Sequence, residues 1–283
     1  MKIKRVNRGR NHWYVDEDTN SKVNGVTTII GKGIPKPALI NWAGNVTAEY
    51  AVDNWDELSA MGPATRLKTI QKARNAVRDT AAVRGTRLHG LAEPLSLGKQ
   101  VNVPAELADL VNAYVQFLDD FDVEPVYLEA VVYSETNRHV GTLDLIADLA
   151  LPDLPEFDGL ARNDDGYVRC LLDIKTGKGI YGETGVQLAG YRYSEWLLTE
   201  DADGKPKPVL MPQVAWTGAV HVTADGYELL PVEAGPEQYE VFLHAQRIAE
   251  FTETSRDLVG EPVPAPYRET APTADSHLEE VPF

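Results

Sequence analysis

The chain has 283 residues, 43% of them hydrophobic and 25% charged, with a formal net charge of −16 and one cysteine, Cys170. That length buries a core in one large or two small domains, and the apolar share is that of a soluble globular protein. The lone cysteine excludes an internal disulfide framework and any four-cysteine zinc or iron–sulfur site, and no apolar run of about 18 residues reads as a membrane span.

The opening MKIKRVNRGRNHWYV is basic but lacks the apolar middle of a signal peptide, which fits a protein kept in a reducing cytoplasm. Residues 1–35 predict short strands and turns through VTTII, with a hairpin around Asn20 or Asn24-Gly25. Amphipathic helices are expected over about 45–61 and 64–79, and another over roughly 80–94, stopping before Pro94. Pro104 opens a helix to 121, with Leu107, Leu110, Val111, Tyr114, Phe117 and Leu118 at helical spacing. The period then changes, and 127–134, 141–151 and 167–176 read as strands. A helix over 183–199, strands over 213–223 and 227–232, and a helix over 236–253 begun by Pro236 complete the order. Residues 261–283, rich in Pro, Glu and Ala, are expected to be a disordered acidic tail on a single domain spanning 1–260. The order implies an α/β (α+β) fold, a mixed central sheet flanked by helices.

Net charge alone argues against non-specific nucleic-acid binding, but the charge is uneven. Between Arg66 and Arg87 stand Arg66, Lys68, Lys72, Arg74, Arg78, Arg84 and Arg87 against one acid, Asp79. The stripe reads as a solvated helix face or as a phosphate track leading to His89. Arg74, Arg78, Arg84 and Arg87 are its candidate DNA contacts.

In YVRCLLDIKTG (167–177), the period of two puts Val168, Cys170, Leu172 and Ile174 on one face and Leu171, Asp173 and Lys175 on the other. In GTLDLIADL, Leu143, Leu145, Ala147 and Leu149 form the apolar face, opposite Thr142, Asp144, Ile146 and Asp148. Neighbouring antiparallel strands bring Asp144 and Asp173 side by side, and adjacent carboxylates repel unless a cation or proton lies between them. Oxygen-rich sites of this kind suit Mg²⁺ or Mn²⁺. Helical spacing turns His89 and Glu93 the same way, and likewise Gln187 and Tyr191. Glu129 either supports the site or faces water. Taken singly, Asp173 and Lys175 also read as an exposed salt bridge worth about 0–1 kcal/mol, His89 as a packed or surface histidine, and Gln187 and Tyr191 as packing residues. Thr176-Gly177-Lys178-Gly179 lacks the Walker spacing, so ATP is not expected.

Taken together, Gly85–His89, Gly141–Asp144, Asp173–Lys175 and Gln187–Tyr191 resemble the motif series of the RecB-like branch of the PD-(D/E)XK nucleases, over about residues 80–195. PKPALINWA (35–43) and the overall length are similar to phage recombination exonucleases of the lambda-exonuclease type. The resemblance implies a restriction-endonuclease-like core without an iron–sulfur cluster, and a metal held by His89, Asp144, Asp173 and the carbonyl of Ile174. It implies Lys175 as the group that orients water or stabilises charge on the phosphate, with Gln187 and Tyr191 positioning Lys175 or the DNA backbone. The implied activity is resection of linear duplex DNA for phage recombination or repair, with double- or single-stranded DNA as partner and a homo-oligomeric ring as a possible assembly. A DNA endonuclease and a catalytically silent nucleic-acid-binding protein on the same fold are the alternatives. The chain ends HLEEVPF, and this resembles the tip of bacterial single-stranded DNA-binding proteins. That resemblance implies that Glu279, Glu280, Pro282 and Phe283 recruit a single-strand annealing protein or a host repair protein. The alternative is a solubilising tail.

Overall fold

In the computed structural model, which describes residues 3–8, 11–200, 206–264 and 266, three short antiparallel strands come first: β1 (Ile3–Arg8), β2 (Asn11–Asp16) and β3 (Ser21–Gly25). Asn20 takes the left-handed turn between β2 and β3 at φ 52°, a conformation that asparagine tolerates. The expectation for VTTII fails. Its β-branched residues favour a strand, yet Val26–Gly33 form helix α1. Val26, Ile29, Ile30 and Gly33 are its buried residues, at helical spacing, and tertiary packing overrides local preference. Gly33 admits no side chain, because an added Cβ would lie 2.1 Å from the carbonyl oxygen of Ala245.

Helices α2 (Pro37–Asp53), α3 (Trp55–Ala60) and α4 (Pro63–Ser96) follow. The two helices expected over 64–94 are one element of 34 residues. Nothing between Asp79 and Val83 breaks a helix, and Pro94 lies in the last turn, where its missing N–H removes one bond only. Gly98, at φ 66°, closes α4 with its amide on the carbonyl of Leu95. α2 has no buried residue. With α3 and the first turns of α4, it forms an arm.

Helix α5 (Ala108–Asp120) leads into β4 (Glu124–Ser134), β5 (His139–Leu149) and β6 (Val168–Lys175). The helix expected over 183–199 ends early: α6 spans Glu183–Arg192, and Trp196–Glu200 form β7. The free edge of β4 captures this segment, pairing Tyr133 with Trp196, Val132 with Leu197 and Val131 with Leu198. Strand β8 (Pro206–Leu210), which sequence reasoning missed, pairs only with β7. Its prolines are tolerated because it is an edge strand. Strands β9 (Trp216–Thr223) and β10 (Gly226–Pro231) and helix α7 (Pro236–Thr254) complete the described elements.

These strands make one curled, mixed ten-stranded sheet flanked by helices. On one side α4 and α5 cover Leu145, Ala147, Leu149, Cys170, Leu172 and Val220. On the other, α1, α6 and α7 cover Val132, Ile146, Leu171 and Leu197, joined by Leu143. β5 carries the site. Along one edge, β3 runs parallel to His139–Val140 and β6 runs antiparallel to Leu145–Leu149. Gly141–Asp144 span the gap between the two partners, and only Thr142 and Asp144 escape full burial in β5. No helix of the described residues is long and apolar enough to cross a membrane. The tail residues Glu279, Glu280, Pro282 and Phe283 lie outside the described residues.

Candidate metal centre

A cavity of about 210 Å³ opens at the gap in β5, lined by His89 of α4, Glu129 of β4, Asp144 of β5, Asp173 and Lys175 of β6 and Gln187 and Tyr191 of α6. The strand register brings the acids together. Leu145 pairs with Leu172, so Asp144 and Asp173 are the next opposed positions. Leu128 pairs with Leu145 and Ala130 with Leu143, so Glu129 faces Asp144 from the other neighbour. His89 Nδ1 lies 3.5 Å from Asp144 Oδ1 and 3.6 Å from Glu129 Oε1. Asp144 Oδ2 accepts a 2.7 Å hydrogen bond from the amide of Ile174. Ile174 therefore reaches this acid through its N–H.

Beside this cluster is a second network. Lys175 Nζ lies 2.5 Å from Asp173 Oδ2 and donates to Gln187 Oε1 at 3.3 Å. Gln187 Nε2 donates to Asp173 Oδ1 at 2.8 Å and to the Tyr191 hydroxyl at 3.1 Å. One amide thus fixes both members of the Asp–Lys pair, and buried Tyr191 holds the amide. The approach angle of the ammonium leaves Asp173 Oδ2 a buried acceptor without a hydrogen bond, despite the short ion-pair distance. Gly141 lets Tyr191 in: an added Cβ there would lie 2.4 Å from the ring. Gly85 brings α4 against the end of β6, where its Cβ position is 3.1 Å from Thr176 Oγ1.

Burial pushes the Asp173 carboxyl up to about 6, and repulsion from Asp144 adds to this against the attraction of Lys175. Burial opposes an imidazolium at His89, but Asp144 and Glu129 outweigh it and lift its pKa to about 10. Clustered carboxylates thus favour a positive charge among them. One imidazole nitrogen and two carboxylate oxygens from three separate elements lie within 4.8 Å of one another. Asp173 Oδ2 adds a buried oxygen without a hydrogen bond on the adjoining strand. This donor set fits a small divalent cation that prefers oxygen and accepts one imidazole.

The expected residues divide. His89, Asp144, Asp173, Lys175, Gln187 and Tyr191 share the cavity. Glu129, left open in the sequence between supporting the site and facing water, joins the cluster. The signal was an acid flanked by Leu128 and Ala130 in an otherwise apolar strand. Glu93, which shares a helix face with His89, is exposed and does not line the cavity. Arg5 and Tyr14 of the N-terminal strands do line it, although the motif series lies elsewhere. Tyr14 Oη is 2.7 Å from Thr142 Oγ1, and Arg5 approaches the same hydroxyl at 3.5 Å. The four stripe arginines are exposed on α4, where Arg87 pairs with Glu106 at 2.7 Å and Arg78 with Asp79 at 3.0 Å. Cys170 is buried with its thiol pushed up to about 12 by burial, so it is no nucleophile.

No family model matches the chain, and no curated protein sequence does. Among solved structures, one described as "Crystal structure of SSO0001" aligns with 84% of this chain and 76% of its own, at 15% identity and a TM-score of 0.29. Agreement at that level carries no inference.

Proposed function

We propose that the protein is a Mg²⁺- or Mn²⁺-dependent deoxyribonuclease of the RecB-like PD-(D/E)XK type, acting as an exonuclease on linear duplex DNA. One observation carries this reading: His89, Glu129 and Asp144 converge at the strand gap beside an Asp173–Lys175 pair locked by Gln187. Asp144, Glu129, His89 and Asp173 are the residues that would hold the ion. When bound, a divalent ion lowers the pKa of a coordinated water and neutralises phosphate charge.

The remaining chemistry belongs to the chain. The Lys175 ammonium, pinned between Asp173 and Gln187, presents a fixed positive charge to a phosphate oxygen or orients the attacking water. Because the donor is already in position, it helps most where charge builds up in the transition state, an effect worth about 3–4 kcal/mol. Gln187 keeps that ammonium from swinging into solvent, and Tyr191 keeps Gln187 in place. An ordinary surface salt bridge does not account for the arrangement, because Asp173 is only 1% exposed and an isolated buried carboxylate is costly.

End-labelled linear duplex and closed circular duplex, incubated with Mg²⁺ or Mn²⁺ and with EDTA as control, test the reading. Metal-dependent loss of the linear substrate alone identifies an exonuclease, and cutting of the circle identifies an endonuclease. Retained DNA without cleavage of either form identifies a binding protein. Lys175→Met is expected to lower turnover by about 10²- to 10³-fold with DNA affinity and the circular dichroism spectrum unchanged.

A further inference from the structure

We infer that the face of α4 that carries His89 is a track for one single strand of nucleic acid, running from the arm into the metal centre; this rests on the nuclease reading of that centre. Leu67, Arg74, Arg78, Gly85 and His89 follow one another at intervals of 7, 4, 7 and 4 residues along α4. Those intervals keep side chains on one helix face. The row spans roughly 33 Å at 1.5 Å per residue, and Arg78 and Arg74 stand roughly 16 and 22 Å from His89 along the axis.

The face has two kinds of unsatisfied surface. Arg74 has no hydrogen-bond or ion-pair partner among the described residues, and Arg78 pairs only with its sequence neighbour Asp79, both being exposed. Between and beside these cations, Leu67 remains 58% and Val77 49% exposed. At the outer end, half-exposed Trp55 has the guanidinium of Arg66 over its ring at 5.7 Å. Cations alone fit any polyanion. Cations interleaved with exposed apolar and aromatic side chains fit a strand whose bases are unpaired, since a duplex turns phosphates outward and keeps its bases stacked inside.

Near the centre the face becomes low. Gly85 has no side chain, and the only atom within 4 Å of its Cβ position is Thr176 Oγ1 at the end of β6. At Gly85 the row meets the end of β6, so a backbone gripped at Arg78 is led along this junction to the cavity mouth, which His89 and Lys175 line. Arg84 and Arg87 do not share the row. One residue turns a helix by about 100°, so Arg84 projects beside the row on the flank that Val77 occupies seven residues earlier, and Arg87 to the far side, where it meets Glu106. Only half of the sequence-predicted arginine set is assigned to the track.

The test is fluorescence anisotropy of a labelled oligothymidylate of about 20 nucleotides in EDTA, over a series of salt concentrations. Each single-strand phosphate contact contributes about 0.7 to the slope of log affinity against log salt, so Arg74→Gln/Arg78→Gln should flatten the slope by about 1.4. Lys72→Gln, one of the cations on the opposite side of α4, should leave it unchanged. Leu67→Ser/Val77→Ser should abolish the wild-type preference for the oligothymidylate over an abasic strand of equal length. Equal slope changes for the two charge variants, no wild-type preference for bases, or equal losses on a blunt duplex would each overturn the track. Chemistry is silent in EDTA, so these outcomes are independent of whether the wild-type protein cleaves DNA with metal.

Discussion

Glu129 stands at φ 46° in the middle of β4, a left-handed conformation in a strand. For a residue with a Cβ this costs on the order of 1–3 kcal/mol, and such positions gather at functional sites. The turn of the backbone coincides with a carboxylate aimed at His89 and Asp144. Glu129→Gly is therefore expected to keep or raise the melting temperature while lowering divalent-metal affinity at least about tenfold, read by calorimetry. A fall in melting temperature with metal affinity intact would make Glu129 a folding residue only. His139 illustrates burial without chemistry. Its Nε2 donates to the carbonyl of Gly190 at 3.0 Å, its Nδ1 is buried without a partner, and burial pushes its pKa down to about 4. The unfolded chain regains a value near 6.5 and binds the proton first, so stability falls as pH drops from about 6.5 to 4, by up to about 3 kcal/mol. Asp173, raised to about 6, works in the opposite sense over the lower part of that window. Urea titrations of wild type and His139→Gln at pH 7 and 4 separate the two, and the variant should lose less stability on acidification.

The elements differ in how far they could be read from the residues. β6 and α7 were legible because an apolar period runs up to Gly177 or starts from Pro236, whereas β5 and α5 were legible as elements but not in their starts, which lie at His139 and Ala108 and not at Gly141 and Pro104. The Asp144–Asp173 juxtaposition was legible in part: period two sets the face of each acid, but the register that opposes them, Leu145 to Leu172, comes from the fold. β7 was not legible. WLLT suits a helix as well as a strand, and the choice was made by the open edge of β4, which lies more than 60 residues earlier in the chain. Leu197 is fully buried on that edge. Leu197→Ala should thus destabilise by about 2–4 kcal/mol, measured by urea unfolding. A loss below 1 kcal/mol would mean that β7 adds no core. α1 was misread because five β-branched residues in a row outweighed their own i, i+3, i+4 spacing, which packing against α7 enforces. The long α4 was divided where no breaker exists. Glu129 was visible as an isolated acid, but its aim depended on a positive φ that no local pattern announces.

At the scale of the whole molecule, the clustered acids of the site repel one another, and the proposed ion would offset that cost. A divalent cation that binds only the folded chain adds about 2.7 kcal/mol at a concentration one hundred times its dissociation constant. For a chain of this size that should raise the melting temperature by about 4–5 °C. Asp144→Asn should remove the increment while leaving the melting temperature in EDTA close to that of wild type. An equal increment in the variant would locate the ion elsewhere. The overall charge of −16 opposes approach of the proposed polyanionic substrate, so on that proposal the basic helix supplies the local attraction and binding should weaken steeply with salt.

The interrupted edge of β5 has a geometric corollary. β3 stops pairing with β5 at Gly25, and β6 stops at Leu172 while continuing to Lys175 beside β9, so the opening is set by where these two ladders end. The vestibule is thus framed by main chain, and side-chain substitutions within it alter its lining more readily than its aperture. Only insertion or deletion in the flanking strands would be expected to widen or shut it.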